Sequence, residues 1–187
     1  MARFTPLERL ALTDAQQRVC DEVRAGRRGT VPANVVAWLP SPELARRAAR
    51  LGEFLRYETA LAPRLSELAI LVVARHWSCA YEWAVHVAEA GRAGVPPEVV
   101  AAVARGEVPV LPSPDDVVHA VARALVATGR LDDALCRHAT AALGEPAFTE
   151  LVGLVGYYTL VAFTLNAREV PAPTGSALLP VRLADPG

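Results

Sequence analysis

A thiol, a carboxylate and an imidazole lie at helical spacing in one stretch of the chain. Glu82 and His86 follow Cys79 by three and seven positions. At about 100° per residue, the three side chains fall within about 60° of one another around a helix. Polar groups on one face of an otherwise apolar helix carry a desolvation cost unless they pair with one another or meet a ligand. The spacing therefore predicts a functional pocket, with a buried hydrogen-bonded pair that only fixes helix packing as the alternative.

A second carboxylate precedes this group. Glu67 lies twelve residues before Cys79 and reaches the same spot if the chain folds back between two helices around residues 76–78. Two carboxylates held together in a dry pocket push one pKa up, and a neighbouring histidine then exchanges protons near neutral pH. The pattern favours proton-transfer chemistry by Glu67, Glu82 and His86.

Four other residues that could do chemistry also have structural interpretations. The structural interpretation of Cys79 is a small core residue, because a free cysteine packs in this way more often than it acts as a nucleophile. His76 is either a helix cap or part of a pocket wall. His119 and His138 lie on separate amphipathic helices, and we expect surface or structural roles for both.

Several residue types that bind metals occur in the same stretch, namely His76, Cys79, Glu82 and His86. Their spacing matches neither the HExxH pattern nor a paired-cysteine zinc pattern. We therefore predict no metal site here.

The composition predicts a folded, nearly neutral chain. Of its 187 residues, 52% are hydrophobic and 21% charged, with a formal net charge of −1. Such a chain is too apolar for disorder, and it offers little attraction to a phosphate backbone, so nucleic acid is not an expected partner. Every basic residue is Arg and none is Lys, which excludes Schiff-base, lysine-anchored PLP and P-loop chemistry.

The cysteines and the N-terminus indicate the compartment. Cys20, Cys79 and Cys136 show no paired spacing, so a disulfide scaffold is not expected and a reducing compartment fits best. The first residues lack the apolar stretch of a secretory signal. We predict a cytoplasmic protein.

Helical signals dominate the chain and predict an all-α fold of about seven helices in a single domain, residues 1–187, with its core over about residues 10–168. Thr13-Asp14-Ala15-Gln16 has the form of a capping box, and Gly106 and Gly129 are predicted helix ends. The predicted helices are 13–26, 41–57, 64–91, 95–106, 113–129, 131–143 and 146–167. The third is either one long helix or two, broken at residues 76–78.

The C-terminal part combines an apolar helix with a tail. Leu151 to Leu165 is a fifteen-residue apolar run, against about 20 residues needed to span a bilayer. We interpret it as a buried helix, with a membrane segment as the weaker alternative. Residues 170–187 contain four prolines and two glycines without helical periodicity, so this tail is predicted to be extended, with contact to a neighbouring surface left open.

The central motif resembles the carboxymuconolactone decarboxylase family, whose members have an all-helical, AhpD-like fold. The resemblance rests on Glu67, Arg75-His76-Trp77, Cys79-Ala80-Tyr81-Glu82-Trp83 and His86, with residues 38–44 before them. Its specific part is Tyr-Glu-Trp-x-x-x-His, which is similar to the decarboxylase-type branch. Weaker similarity through Gly156-Tyr157-Tyr158 and Asn166 extends the resemblance to about residues 10–168.

One branch of this family is a thiol peroxidase that uses a Glu, a Cys-x-x-Cys pair and a His. Glu67, Cys79 and His86 match that pattern, but Glu82 stands at the second cysteine position. Without this resolving thiol the usual dithiol cycle cannot close, although Cys79 could react singly with an external thiol. The substitution argues against a peroxidase but leaves it as an alternative.

The decarboxylase branch implies a carboxy-lyase that removes CO2 from a small carboxylated or cyclic substrate without a cofactor. In that case His86 is the proton donor, Glu82 orients it and tunes its pKa, and Arg75 clamps the substrate carboxylate. Glu67 and Cys79 complete the predicted catalytic group, and His76 and Trp83 join Arg75 in binding substrate. The resemblance also implies a homo-oligomer, commonly trimeric or built from trimers. A non-catalytic oligomer that binds a small molecule is the remaining alternative.

Overall fold

The structure is a computed structural model that describes residues 3–176 and 179. Within that part of the chain it contains nine α-helices, one 3₁₀ turn at Leu7–Arg9 and no strand, which confirms the predicted all-α class. The helices are α1 (Asp14–Ala25), α2 (Ala33–Trp38), α3 (Pro42–Tyr57), α4 (Pro63–His76), α5 (Ala80–Arg92), α6 (Pro97–Arg105), α7 (Asp115–Thr128), α8 (Asp133–Leu143) and α9 (Glu145–Ala167).

Two features account for the difference between about seven predicted helices and nine. The segment left open as one helix or two is two, because Ser78 adopts a left-handed conformation (φ +50°) that ends α4 before α5 begins. The second additional helix is α2, which lies in the segment between residues 26 and 41, where the sequence predicts a loop. Pro32 occupies its N-cap, and five of its six residues are buried, so tertiary burial stabilises a helix too short to form alone.

The predicted helix boundaries follow from local chemistry. The Thr13 hydroxyl accepts from the Gln16 N–H at 3.4 Å and the Gln16 side chain accepts from the Thr13 N–H at 2.9 Å, which is the predicted capping box. Gly106 and Gly129 end α6 and α7 with φ of +76° and +69°, a backbone conformation that glycine adopts without the Cβ penalty.

The chain packs as two compact units. Among the described residues, one unit comprises 3–59 and 163–170, and in it α1 and α2 pack against α3. The other comprises 60–162, 171–176 and 179, and in it α4 packs against α5, α6 and α7. Every residue of α4 from Leu65 to Ala74 is buried, so α4 is the central helix of the second unit.

Helix α9 is the most apolar element. Its length and composition would allow it to cross a membrane, and 44% of its most apolar 18-residue window is buried within the structure. Exposed apolar side chains lie along one of its faces at Val152, Leu160 and Phe163. Beyond it, residues 170–176 contain no helix, as predicted for the tail. Residues 177–178 and 180–187, and the surface contact left open for them, lie outside the described part.

Candidate functional site

The turn between α4 and α5 brings their polar residues together. Trp77 and the left-handed Ser78 end α4, and the Cys79 N–H then donates to the Ala74 carbonyl at 2.9 Å. This turn makes α5 pack back along α4. A residue about two and a half turns before the reversal therefore faces one about two turns after it, which places Glu67 opposite His86.

His86 bridges the two carboxylates. Its Nδ1 lies 2.7 Å from the Glu67 Oε2, and its Nε2 lies 3.2 Å from the Glu82 Oε2. All three residues are buried: Glu67 is 7% exposed, Glu82 is 5% exposed and His86 is 2% exposed. The structure thus unites the three acid-base residues that the sequence singles out.

The geometry determines how His86 is protonated. A neutral imidazole carries one N–H and can donate to only one carboxylate, whereas the imidazolium donates from both nitrogens. Burial lowers the pKa of His86, but hydrogen bonds and charge attraction from Glu67 and Glu82 outweigh burial and raise it from 6.5 to about 9. The raised pKa therefore favours a protonated His86 between the two carboxylates at neutral pH.

An aromatic residue that the predicted site does not include completes the surroundings of His86. The Tyr158 ring meets the His86 ring edge-on, with centroids 5.1 Å apart, and Tyr157 lies against Tyr158 at 5.4 Å. Both tyrosines belong to α9, far from His86 in the sequence. No spacing rule links them to α5, and the only signal was the weak family similarity at Tyr157-Tyr158.

Cys79 sits at the N-cap of α5 and is fully buried. Burial raises the pKa of its thiol to about 12, against the opposing effect of the Glu82 and Tyr81 backbone N–H groups. Since the thiolate is the nucleophilic form, the raised pKa disfavours nucleophilic chemistry by this cysteine at neutral pH. Glu82, which occupies the place of a resolving thiol, directs its carboxylate to His86 instead.

Arg75 and His76 lie elsewhere. Both line a cavity formed by α4, α6 and α7, and none of Glu67, Glu82 and His86 is on its walls. The Arg75 Nε donates to the Ala104 carbonyl at 2.6 Å, and Arg75 forms no ion pair with Glu67 or Glu82. The structure therefore separates the expected carboxylate clamp from the acid-base residues.

The remaining candidates occupy three different environments. Trp83 is buried on α5 beside Glu82. His138 is exposed on α8, whereas His119 is buried on α7. Burial, with the nearby Arg123 guanidinium, lowers the pKa of His119 to about 4.

Among residues 3–176 and 179, no group of three or more His, Cys, Asp or Glu side chains is arranged to hold a metal ion.

Residues 42–126 match the model of the Carboxymuconolactone decarboxylase family. The matched segment runs from α3 into α7 and contains Glu67, Cys79, Glu82 and His86. No curated protein matches the chain.

Proposed function

We propose that this protein is a cofactor-independent enzyme that decarboxylates a small carboxylated or cyclic organic substrate, because residues 42–126 match the model of the carboxymuconolactone decarboxylase family. The observation that carries the proposal is the His86 ring held between the Glu67 and Glu82 carboxylates. A buried proton donor whose pKa lies above neutral pH stays loaded until a basic carbon appears beside it.

The proposed step balances without an external oxidant or reductant. The bond between the substrate carbon and its carboxylate breaks, CO2 leaves, and the electron pair remains on the substrate as a dienolate. The His86 imidazolium then gives its proton to that carbon. Apolar surroundings favour this reaction, because the charged carboxylate leaves as a neutral gas.

The two glutamates have different proposed roles. Glu82 lies one helical turn before His86 on α5 and orients the ring through its Nε2. The Glu67 side chain is the most accessible of the three, at 10% exposed against 7% for Glu82 and 3% for His86. We assign Glu67 the return of a proton from solvent to His86 after each turnover.

The burial of the Cys79 thiol supports the peroxidase alternative less well than the Glu67, Glu82 and His86 group supports decarboxylation. A peroxidase needs a thiolate, and burial raises the pKa of Cys79 to about 12. The second thiol that would resolve a sulfenic acid is replaced by Glu82, which is paired with His86.

The test is CO2 release by the purified protein from a carboxylated γ-lactone. We expect multiple turnovers with the free acid and none with its methyl ester, and no sulfenic acid at Cys79 by mass spectrometry after peroxide treatment. His138→Gln, an exposed change on α8, serves as the control and should turn over normally. Peroxide consumption with oxidised Cys79 and no CO2 would replace the proposal with the peroxidase.

We further propose that the protein is a cytoplasmic homo-oligomer, with the trimer implied by the family resemblance. Val152 and Leu160 fall within about 80° of each other around α9, so they form an exposed apolar stripe suited to a second copy.

Light scattering after size exclusion tests this assembly. We expect a mass of three protomers or a multiple of three, and partial or full dissociation of Leu160→Glu. The matched control, Val110→Glu, adds the same charge at another exposed apolar position and should leave the mass unchanged. A monomer at micromolar concentration would contradict the proposal.

A further inference from the structure

A cavity of about 160 Å³ lies between α4, α6 and α7, apart from the acid-base residues. Val72, Arg75 and His76 reach it from one face of α4, and His119 and Arg123 reach it from one face of α7. The spacings of three and four residues explain why these side chains share a wall. A cavity of about 150 Å³ admits a benzene ring, so this one suits a ligand of similar size.

The walls of the cavity are cationic. Arg75 and Arg123 both line it, and neither forms an ion pair with an acidic residue in the described part of the chain. Glu107 is the acidic residue on the wall, but the Arg105 guanidinium contacts both of its carboxylate oxygens, at 2.8 and 2.7 Å. These four residues therefore carry two net positive charges, which attract an anion.

The Arg75 guanidinium is held in place. Its Nε donates to the Ala104 carbonyl in the last turn of α6, which fixes the guanidinium plane and leaves the Nη groups available. A guanidinium positioned in this way can donate to a carboxylate without first losing its own conformational freedom.

His119 is a buried polar residue on the wall of the cavity. It is 3% exposed and lines the cavity, and no hydrogen bond from any described residue reaches its ring. Its ring therefore has hydrogen-bonding capacity to offer to a ligand in the cavity. Its neutral ring, with the pKa lowered to about 4, retains one N–H for a ligand.

The rest of the wall is apolar. Val72, Val103, Val126 and Ala127 supply hydrocarbon surface beside the charged groups. A simple inorganic anion would leave this surface against water, whereas a carboxylate with a hydrocarbon body would cover it.

We propose that this cavity binds a small organic carboxylate with an apolar body, held by Arg75, Arg123 and His119, at a site separate from Glu67, Glu82 and His86. Binding here requires no turnover and so goes beyond the proposed decarboxylation. A ligand at this site contacts α4, the helix that also carries Glu67.

Calorimetric or ligand-observed NMR titration with benzoate tests the site. We expect saturable binding with a Kd of about 1 mM or tighter. Arg123→Gln, which removes a cation at the exposed rim, should weaken binding by about tenfold or more, since a hydrogen bond to a charged group is lost. Benzamide, the neutral analogue of similar shape, should bind at least about tenfold more weakly than benzoate.

Three comparisons decide the outcome. Arg130→Gln removes an exposed arginine just beyond α7 that is not on the cavity wall, and it should leave benzoate binding unchanged. Glu67→Gln should also leave it unchanged, so that loss of decarboxylation and loss of binding can be told apart. Inorganic phosphate bound as tightly as benzoate, equal loss in Arg130→Gln and Arg123→Gln, or no saturation by benzoate at about 10 mM would overturn the proposal.

Discussion

His86→Gln is expected to lower the rate of CO2 release by about 10²-fold to 10⁴-fold, the range that a positioned general acid contributes. Glutamine keeps a side-chain N–H that can donate to one carboxylate, but it has no proton to transfer. The measurement is kcat with the carboxylated lactone at pH 7. Since His86 is proposed to donate a proton in the transition state and not to hold the substrate, the effect should fall on kcat more than on KM.

Two variants make this result specific. Glu82→Gln keeps the imidazole and the shape of its neighbour, so it should lower kcat less than His86→Gln and shift the pH profile of kcat to lower pH. Circular dichroism of each variant separates lost chemistry from lost folding. The role of His86 as proton donor is wrong if a folded His86→Gln protein keeps the rate of His138→Gln.

The free energy of unfolding is expected to fall as the pH rises from about 6.5 to about 9. The folded-state pKa of His86 is raised from 6.5 to about 9, so the folded chain holds a proton that the unfolded chain releases. This contribution is fully present below about pH 6.5 and is lost as the pH passes through about 9. At about 1.4 kcal/mol per pKa unit, it amounts to about 3 kcal/mol.

Urea unfolding at several pH values between 6 and 10 measures this slope. His86→Gln lacks the titrating imidazole and should show a nearly flat profile up to about pH 8; above this, the raised pKa of the buried Cys79 thiol lowers the stability of both proteins alike. His119 does not interfere, because its lowered pKa acts in the opposite direction and at lower pH, where stability falls as the pH drops from about 6.5 towards 4. An equally steep slope in His86→Gln would assign the effect to another group.

Local sequence chemistry predicts much of this fold. The Thr13 capping box and the ends of α6 and α7 depend on residues within a few positions, so a single sequence contains the information. The convergence of Glu82 and His86 follows from helical spacing, and that of Glu67 follows from one reversal of the chain near Ser78.

The position of Arg75 shows what proximity in the sequence does not determine. Arg75 lies eight residues after Glu67 on the same helix, which separates the two by about 12 Å along the axis and about 80° around it. Proximity in the sequence therefore does not place Arg75 at His86. Contacts between distant segments, such as Tyr158 with His86, have no signature in the sequence of either segment.

The burial of His119 has a similar cause. Apolar spacing on α7 marks Val117, Val121 and Leu125 as the inward stripe, with His119 on the other side. In the structure α7 packs against both α4 and α8, so a wider part of its circumference is buried than one stripe would cover. Packing on two sides encloses a residue that amphipathic periodicity alone assigns to the surface.

Helix α9 presents the Tyr158 ring to His86 on one side and the apolar stripe containing Leu160 on nearly the opposite side. In the proposed assembly, a second copy bound to this stripe would lie about one helix diameter, about 10 Å, from the ring that contacts His86. If the proposed assembly forms, its dissociation on dilution is expected to change the pKa of His86 although no ligand binds or leaves.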